Sequence, residues 1–350
     1  MSAPGSGAID KNSLHHRNQP VNSLTILSRM FTLYRQVQKQ ERYIQSHLPK
    51  LLADVVPDHH QTFSPPHIKR ITKYWQLALN VICESLYNLT GKKLHADEYK
   101  RIILLSVFGP LFDDLFDDQL LTNEQIASLV SNPEKYVAVN KTDLLVVKLY
   151  LELLRLTPRP QQFIGHLQDV AHWQNESLKQ LNENITEEEL YKITYNKSYY
   201  AVLLYCAVLD HYPNQKILEM LYPMAGLMQL TNDAFDVFKD IMNGVYTLPN
   251  LYLNLEQLQQ QFMAETAKIN QIISQLPYPV KARQAYAITI HSLPAMGWLA
   301  LEQLKQATGG ISTFKALSSL SRKTLVCDMD SLSQKIKWLQ HIRRFTNYYG

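Results

Sequence analysis

Seven aspartates and one asparagine of this chain fall into two short stretches, FDDLFDD at Phe112–Asp118 and NDAFDVFKD at Asn232–Asp240. On a helix, residues four apart share a face. That groups Asp113 with Asp117, and Asn232 with Asp236 and Asp240. Asp114 turns about 100° from Asp113 and stays within reach of the same ion. Asp233 lies off the second stripe, as an outer hydrogen-bond acceptor or facing water. Oxygen donors without a Cys/His cluster select hard cations, magnesium first and manganese second. Two facing carboxylate stripes repel until cations come between them. Such cations can then take up a diphosphate, whose oxygens complete their coordination.

Taken singly, each stretch reads equally well as a solvated acidic helix end. Together, both follow apolar helical segments and lie far enough apart to come from different helices. The elements that must position them read as helices throughout. Apolar positions at helical spacing predict helices over about 24–48, 67–87, 96–117, 121–130, 141–156, 160–178, 186–209, 215–242, 253–276, 279–308 and 332–346. Pro49, Pro57 and Pro65–Pro66 punctuate the first part, and Gly109–Pro110 can kink the segment before the first cluster. Thr186 followed by Glu189 is a capping box, and Thr122 or Asn123 can cap the helix after the first cluster. ATGG at Ala307–Gly310 reads as a helix end and turn. No train of alternating strands and no glycine-rich phosphate loop occurs. The fold class expected is all-α, around ten helices in a single domain over 22–350, after a flexible N-terminal arm over 1–21.

Apolar residues make up 46% of the 350, so wholesale disorder is not expected. A net charge of +4 without a dense Lys/Arg stripe does not suggest nucleic acid, and suits a small anionic substrate. Three widely spaced cysteines suggest neither zinc nor a disulfide framework. The N-terminus lacks the order of a signal peptide, and no apolar run is long enough to span a bilayer. A soluble protein in a reduced, cytoplasmic setting is the expectation, as monomer or homodimer. His59–His60 and the other histidines show no metal spacing and read as structural or exposed.

With these residues in view, the chain resembles the class I isoprenoid synthases. Asp113, Asp114 and Asp117 match the DDxxD motif. Asn232, Asp233, Asp236 and Asp240 match the second metal motif of terpene cyclases. QLTN, Asp236, Asp240, Gly244 and Leu248–Pro249 also resemble the squalene and phytoene synthases. The resemblance implies a helical bundle around a central cavity, three magnesium ions and an allylic prenyl diphosphate substrate. Ionisation would release diphosphate and leave a carbocation in an aromatic-lined apolar chamber. Two departures stand out: the stretch SVFGPLF before the first motif lacks the arginine usual in head-to-head synthases, and Lys239 occupies a position that is often acidic.

A cation should hold the leaving diphosphate. The candidates are Lys192, Lys197 and Lys239, with Arg343 or Arg344 and Tyr348 covering the site from the C-terminus. Phe112, Phe116, Tyr195, Tyr199, Phe235 and Trp298 are candidates for stabilising a cation through their ring faces, alongside the ordinary role of core packing. The resulting expectation is a magnesium-dependent terpene synthase (cyclase) giving a cyclic hydrocarbon or alcohol. The alternatives are head-to-head prenyl coupling and a non-catalytic helical binding protein.

Overall fold

The computed structural model describes residues 20–55, 63–311 and 313–350. Residues 1–19 of the expected arm, Pro57 and His59–His60 lie outside them. Every regular element among the described residues is helical. The α-helices are α1 (Ser23–Val55), α2 (Pro65–Leu77), α3 (Glu84–Leu89), α4 (Ala96–Asp117), α5 (Asn123–Ser131), α6 (Lys141–Leu156) and α7 (Pro160–Ser177). They continue as α8 (Glu187–Ala207), α9 (Gln215–Met242), α10 (Leu255–Gln275), α11 (Val280–Thr308), α12 (Phe314–Ser318), α13 (Arg322–Leu325) and α14 (Leu332–Thr346). A buried π-helical stretch, Ala78–Cys83, joins α2 to α3.

Local chemistry sets many of the boundaries. Thr122, Asn140, Thr186, Asn214 and Ser331 each accept a backbone N–H of the first turn of the helix they precede. The Thr186–Glu189 box closes in both directions, at 3.0 and 3.2 Å. Gly309 adopts a left-handed conformation (φ 40°) and ends α11. The end expected at Pro49 is absent, since Pro49 lies inside α1; Pro110, Pro223 and Pro294 lie inside the continuous helices expected over them. Their tertiary surroundings outweigh the lost hydrogen bond, Pro110, Pro223 and Pro294 being buried.

One hydrophobic core runs from Ile44 on α1 to Phe345 on α14. A smaller cluster of Val21, Ile26, Ile288, Ala295 and Ile342 joins α1, α11 and α14. Val21 belongs to this packing: its N–H donates to Asn347 Oδ1, and its carbonyl accepts from Asn347 Nδ2, at 2.8 and 3.0 Å. Helix α8 packs against α7 on one side and α9 on the other, while α4 lies against α2 and α6. Helices α9 and α11 approach very closely, because Gly297 leaves no side chain where Thr231 crosses.

Candidate functional site

The first cluster closes the C-terminal end of α4, and the second closes the C-terminal end of α9. The turn after α9 fixes the second end in space. Gly244 takes a positive φ of 66°, a conformation that costs glycine little. The chain then returns so that Tyr246 N–H donates to the Gln180 carbonyl at 2.7 Å, and Gln180 Nε2 donates to the Tyr246 carbonyl at 3.1 Å. Gln180 follows directly on α7, so the acidic end of α9 is clamped beside the end of α7.

Both clusters lie within electrostatic range of one cation. Lys197, on α8, acts electrostatically on Asp113 from α4 and on both Asp233 and Asp240 from α9. Its ammonium lies 3.4 Å from Ser177 Oγ at the end of α7. Around it, Gln174 Nε2 donates to Asp113 Oδ1, and the Tyr74 hydroxyl reaches Asp113 Oδ2 at 3.5 Å. Arg70 holds Asp114 at 2.6 Å, and Gln229 Nε2 donates to Asp233 Oδ1 at 2.8 Å. Asp113 and Tyr205 are half-buried and Tyr74 is exposed.

Charge at this site is costly. Burial raises the Asp113 carboxyl, with Asp117 adding repulsion, while Lys197, Arg70 and Gln174 act against the rise. Burial lifts Asp233 to about 7 against the pull of Gln229 and Lys197. Burial, then repulsion from Asp233 and Asp236, lifts Asp240 to about 8. Field from Asp113, followed by burial, pushes the Tyr74 hydroxyl upward. Two buried oxygens, Asp233 Oδ2 and Gln174 Oε1, have no hydrogen-bond partner. Carboxylates that repel, raised titration points and an unpartnered carboxylate oxygen all fit a cation entering among them. Among the described residues, no three His, Cys, Asp or Glu side chains are gathered closely enough to enclose a metal by themselves. Magnesium does not require that, since one or two carboxylates plus water and phosphate oxygens suffice.

The stripe on α9 differs in phase from the expected one. Asn232 is exposed, whereas Asp233 is buried and faces Lys197 together with Asp240. The inward residues are Gln229, Asp233, Asp236 and Asp240, spaced four, three and four apart. Asp236 also meets Lys239 at 3.4 Å, with Lys239 largely in solvent. Asp117 is exposed and close enough to Asp113 to repel it.

Several expected residues stand elsewhere. Lys192 is exposed and pairs with Glu188 at 2.6 Å. Tyr195 and Tyr199 lie two residues to either side of Lys197, hence about 200° away on α8. They pack on Tyr222, with ring centroids 5.7 and 5.1 Å apart, and Gln261 donates to the Tyr195 hydroxyl at 2.9 Å. Phe112 stacks on Phe108 at 5.2 Å and meets Phe116 edge-on at 5.5 Å, inside the core. Phe235 is half-buried against that core. Arg344 covers the Trp298 ring at 4.6 Å, and Arg343 reaches Ser23 at 3.4 Å. The Tyr348 carbonyl accepts from Asn270 at 2.6 Å, which pins the C-terminal tail to α10.

Sequence reasoning missed Arg70, Tyr74, Gln174, Ser177 and Gln229. The first four sit on α2 and α7, away from either motif, and only Gln229, within QLTN, carried a signal. The largest cavity described, about 760 Å³, lies between α1 and α14, and another of about 340 Å³ lies between α5 and α7. Neither is lined by an acidic residue of the two clusters, so the expected apolar chamber is not among them. The chain matches no protein-family model and no curated protein.

Proposed function

We propose that the chain is a magnesium-dependent class I isoprenoid synthase, a cyclase acting on a linear prenyl diphosphate. The observation that carries this reading is the meeting of both acidic clusters around Lys197. Asp113 from α4 and Asp233, Asp236 and Asp240 from α9 would hold the metal, with Asp114 and Asp117 at the margin. Bound magnesium would neutralise the diphosphate and ease its departure.

The chain's own residues do the rest. Lys197 supplies fixed positive charge where the leaving group gains negative charge. Gln174 and Tyr74 fix the orientation of Asp113, and Gln229 does the same for Asp233.

The test is diphosphate release from linear prenyl diphosphates of increasing length, with and without magnesium. Release that needs magnesium, with a product of one prenyl unit's carbon count, is expected. Folded protein that turns over none of them would overturn the reading. A product joining two prenyl units would replace cyclisation by head-to-head coupling.

A further inference from the structure

Helices α1 and α14 lie side by side and leave large apolar side chains in solvent. On α1, Leu24, Leu27, Phe31 and Tyr34 recur at helical spacing along one face, with Leu24 78% and Phe31 62% exposed. On α14, Leu332 is 73% and Ile336 48% exposed. The cavity of about 760 Å³ connects the two helices, lined by Ile26, Leu27, Ile336 and Leu339 and bounded by Arg343 and Arg344. A contiguous apolar surface of this kind marks an interaction site.

The two stretches that carry these side chains hold charge of one sign, with Glu41, Glu302, Asp328 and Asp330 the acidic residues next to them. Between Ser23 and Gln40, and again between Leu332 and Thr346, the sequence contains no Asp or Glu. The exposed cations of these stretches are Arg35, Lys39, Lys335, Lys337, Arg343 and Arg344. Arg29 is excluded, because it turns inward to Thr289 at 2.9 Å. The whole chain carries only +4, so the rest of the molecule is negative on balance.

We propose that this face docks on an anionic lipid bilayer. Apolar side chains enter the headgroup boundary while the surrounding Arg and Lys meet anionic headgroups. Charge argues against the other occupants. A second copy would bring the same six cations against their counterparts. A nucleic acid would leave Leu24, Phe31 and Leu332 in water. The chain's own first nineteen residues hold Asp10 against Lys11 and Arg17, and do not complement the face. No helix among the described residues is long and apolar enough to cross a membrane, so the attachment is peripheral.

Sedimentation of the full chain with vesicles tests this, using phosphatidylcholine alone or mixed equally with phosphatidylglycerol, at low and high salt. Binding should require the anionic lipid and weaken with salt. Each cation removed should lower the partition coefficient about five-fold. The pair Arg35→Glu and Arg343→Glu should therefore lower it more than tenfold. The pair Leu24→Ser and Phe31→Ser, both solvent-exposed, should do the same while circular dichroism stays unchanged. Equal binding to both vesicles, no binding to either, or variants that bind like the parent would overturn the proposal. So would a fall in mass by light scattering in the serine pair without a change in vesicle binding, which would assign the face to a second copy.

Discussion

Arg70 Nη1 lies 2.6 Å from Asp114 Oδ1, so one member of the first acidic cluster already has a cation of its own. Asp113, its neighbour, is held instead by the neutral amide of Gln174 and feels the charge of Lys197. The two aspartates are adjacent in sequence and unequal in role. Asp113→Asn should lower magnesium-dependent diphosphate release at least a hundredfold. Asp114→Asn should lower it about tenfold or less, because that pair is partly exposed and weakly coupled. Steady-state release assays on both variants check the ranking, and equal losses would contradict it.

Lys197 and Lys192 are five residues apart on α8 and separate the site from the surface. Lys197→Gln should weaken binding of inorganic diphosphate, measured by calorimetry in magnesium, by about a hundredfold. Lys192→Gln removes only an exposed pair with Glu188 and should leave that affinity unchanged. A Lys197→Gln variant that binds diphosphate like the parent would remove the central cation from the mechanism.

The raised carboxyls give the metal-free protein a pH dependence of definite sign. Asp233 and Asp240 titrate near 7 and 8 in the folded chain, against 3.8 for a free aspartate. The folded state therefore retains these protons after the unfolded chain has lost them. Their stabilisation is full below about pH 4 and is lost as pH rises through 8. With chelator present, the melting temperature should fall by several degrees between pH 6 and pH 8.5. The Asp240→Asn variant should show a flatter profile. A parent profile identical to that of the variant would show that Asp240 keeps an ordinary titration point.

A Cβ on Gly297 would stand 2.4 Å from Thr231 Oγ1 and 2.9 Å from Thr231 Cα. The second contact is to backbone, so trimming the threonine cannot relieve it. Gly297→Ala should push α9 away from α11 and destabilise the fold by roughly 1–3 kcal/mol. Because Asp233 lies two residues from Thr231, diphosphate release should fall as well. Urea unfolding and the release assay measure the two effects. Full stability in the alanine variant would mean the helices separate at no cost.

How much of this was legible in the residues is clearest at α8 and α9. Helical periodicity, the Thr186–Glu189 box and the left-handed Gly244 turn are local, set by neighbours a few positions apart. The sequence accordingly determined an all-helical chain, most helix boundaries and the two acidic stretches. Gly244 entered the sequence reading only through the resemblance, and its left-handed turn after α9 is a finding of the structure. Tertiary structure decided what no short spacing contains. It turned Asp233 inward and left Asn232 in water, because the rotation of α9 is set by its packing at Gly297 and by the clamp at Gln180. It brought Arg70 and Gln174 to Asp114 and Asp113 from distant helices, and it buried Phe112 and Phe116 in the core. Contacts of long sequence separation depend on how whole helices pack, and that free energy is shared among many side chains rather than written in any motif.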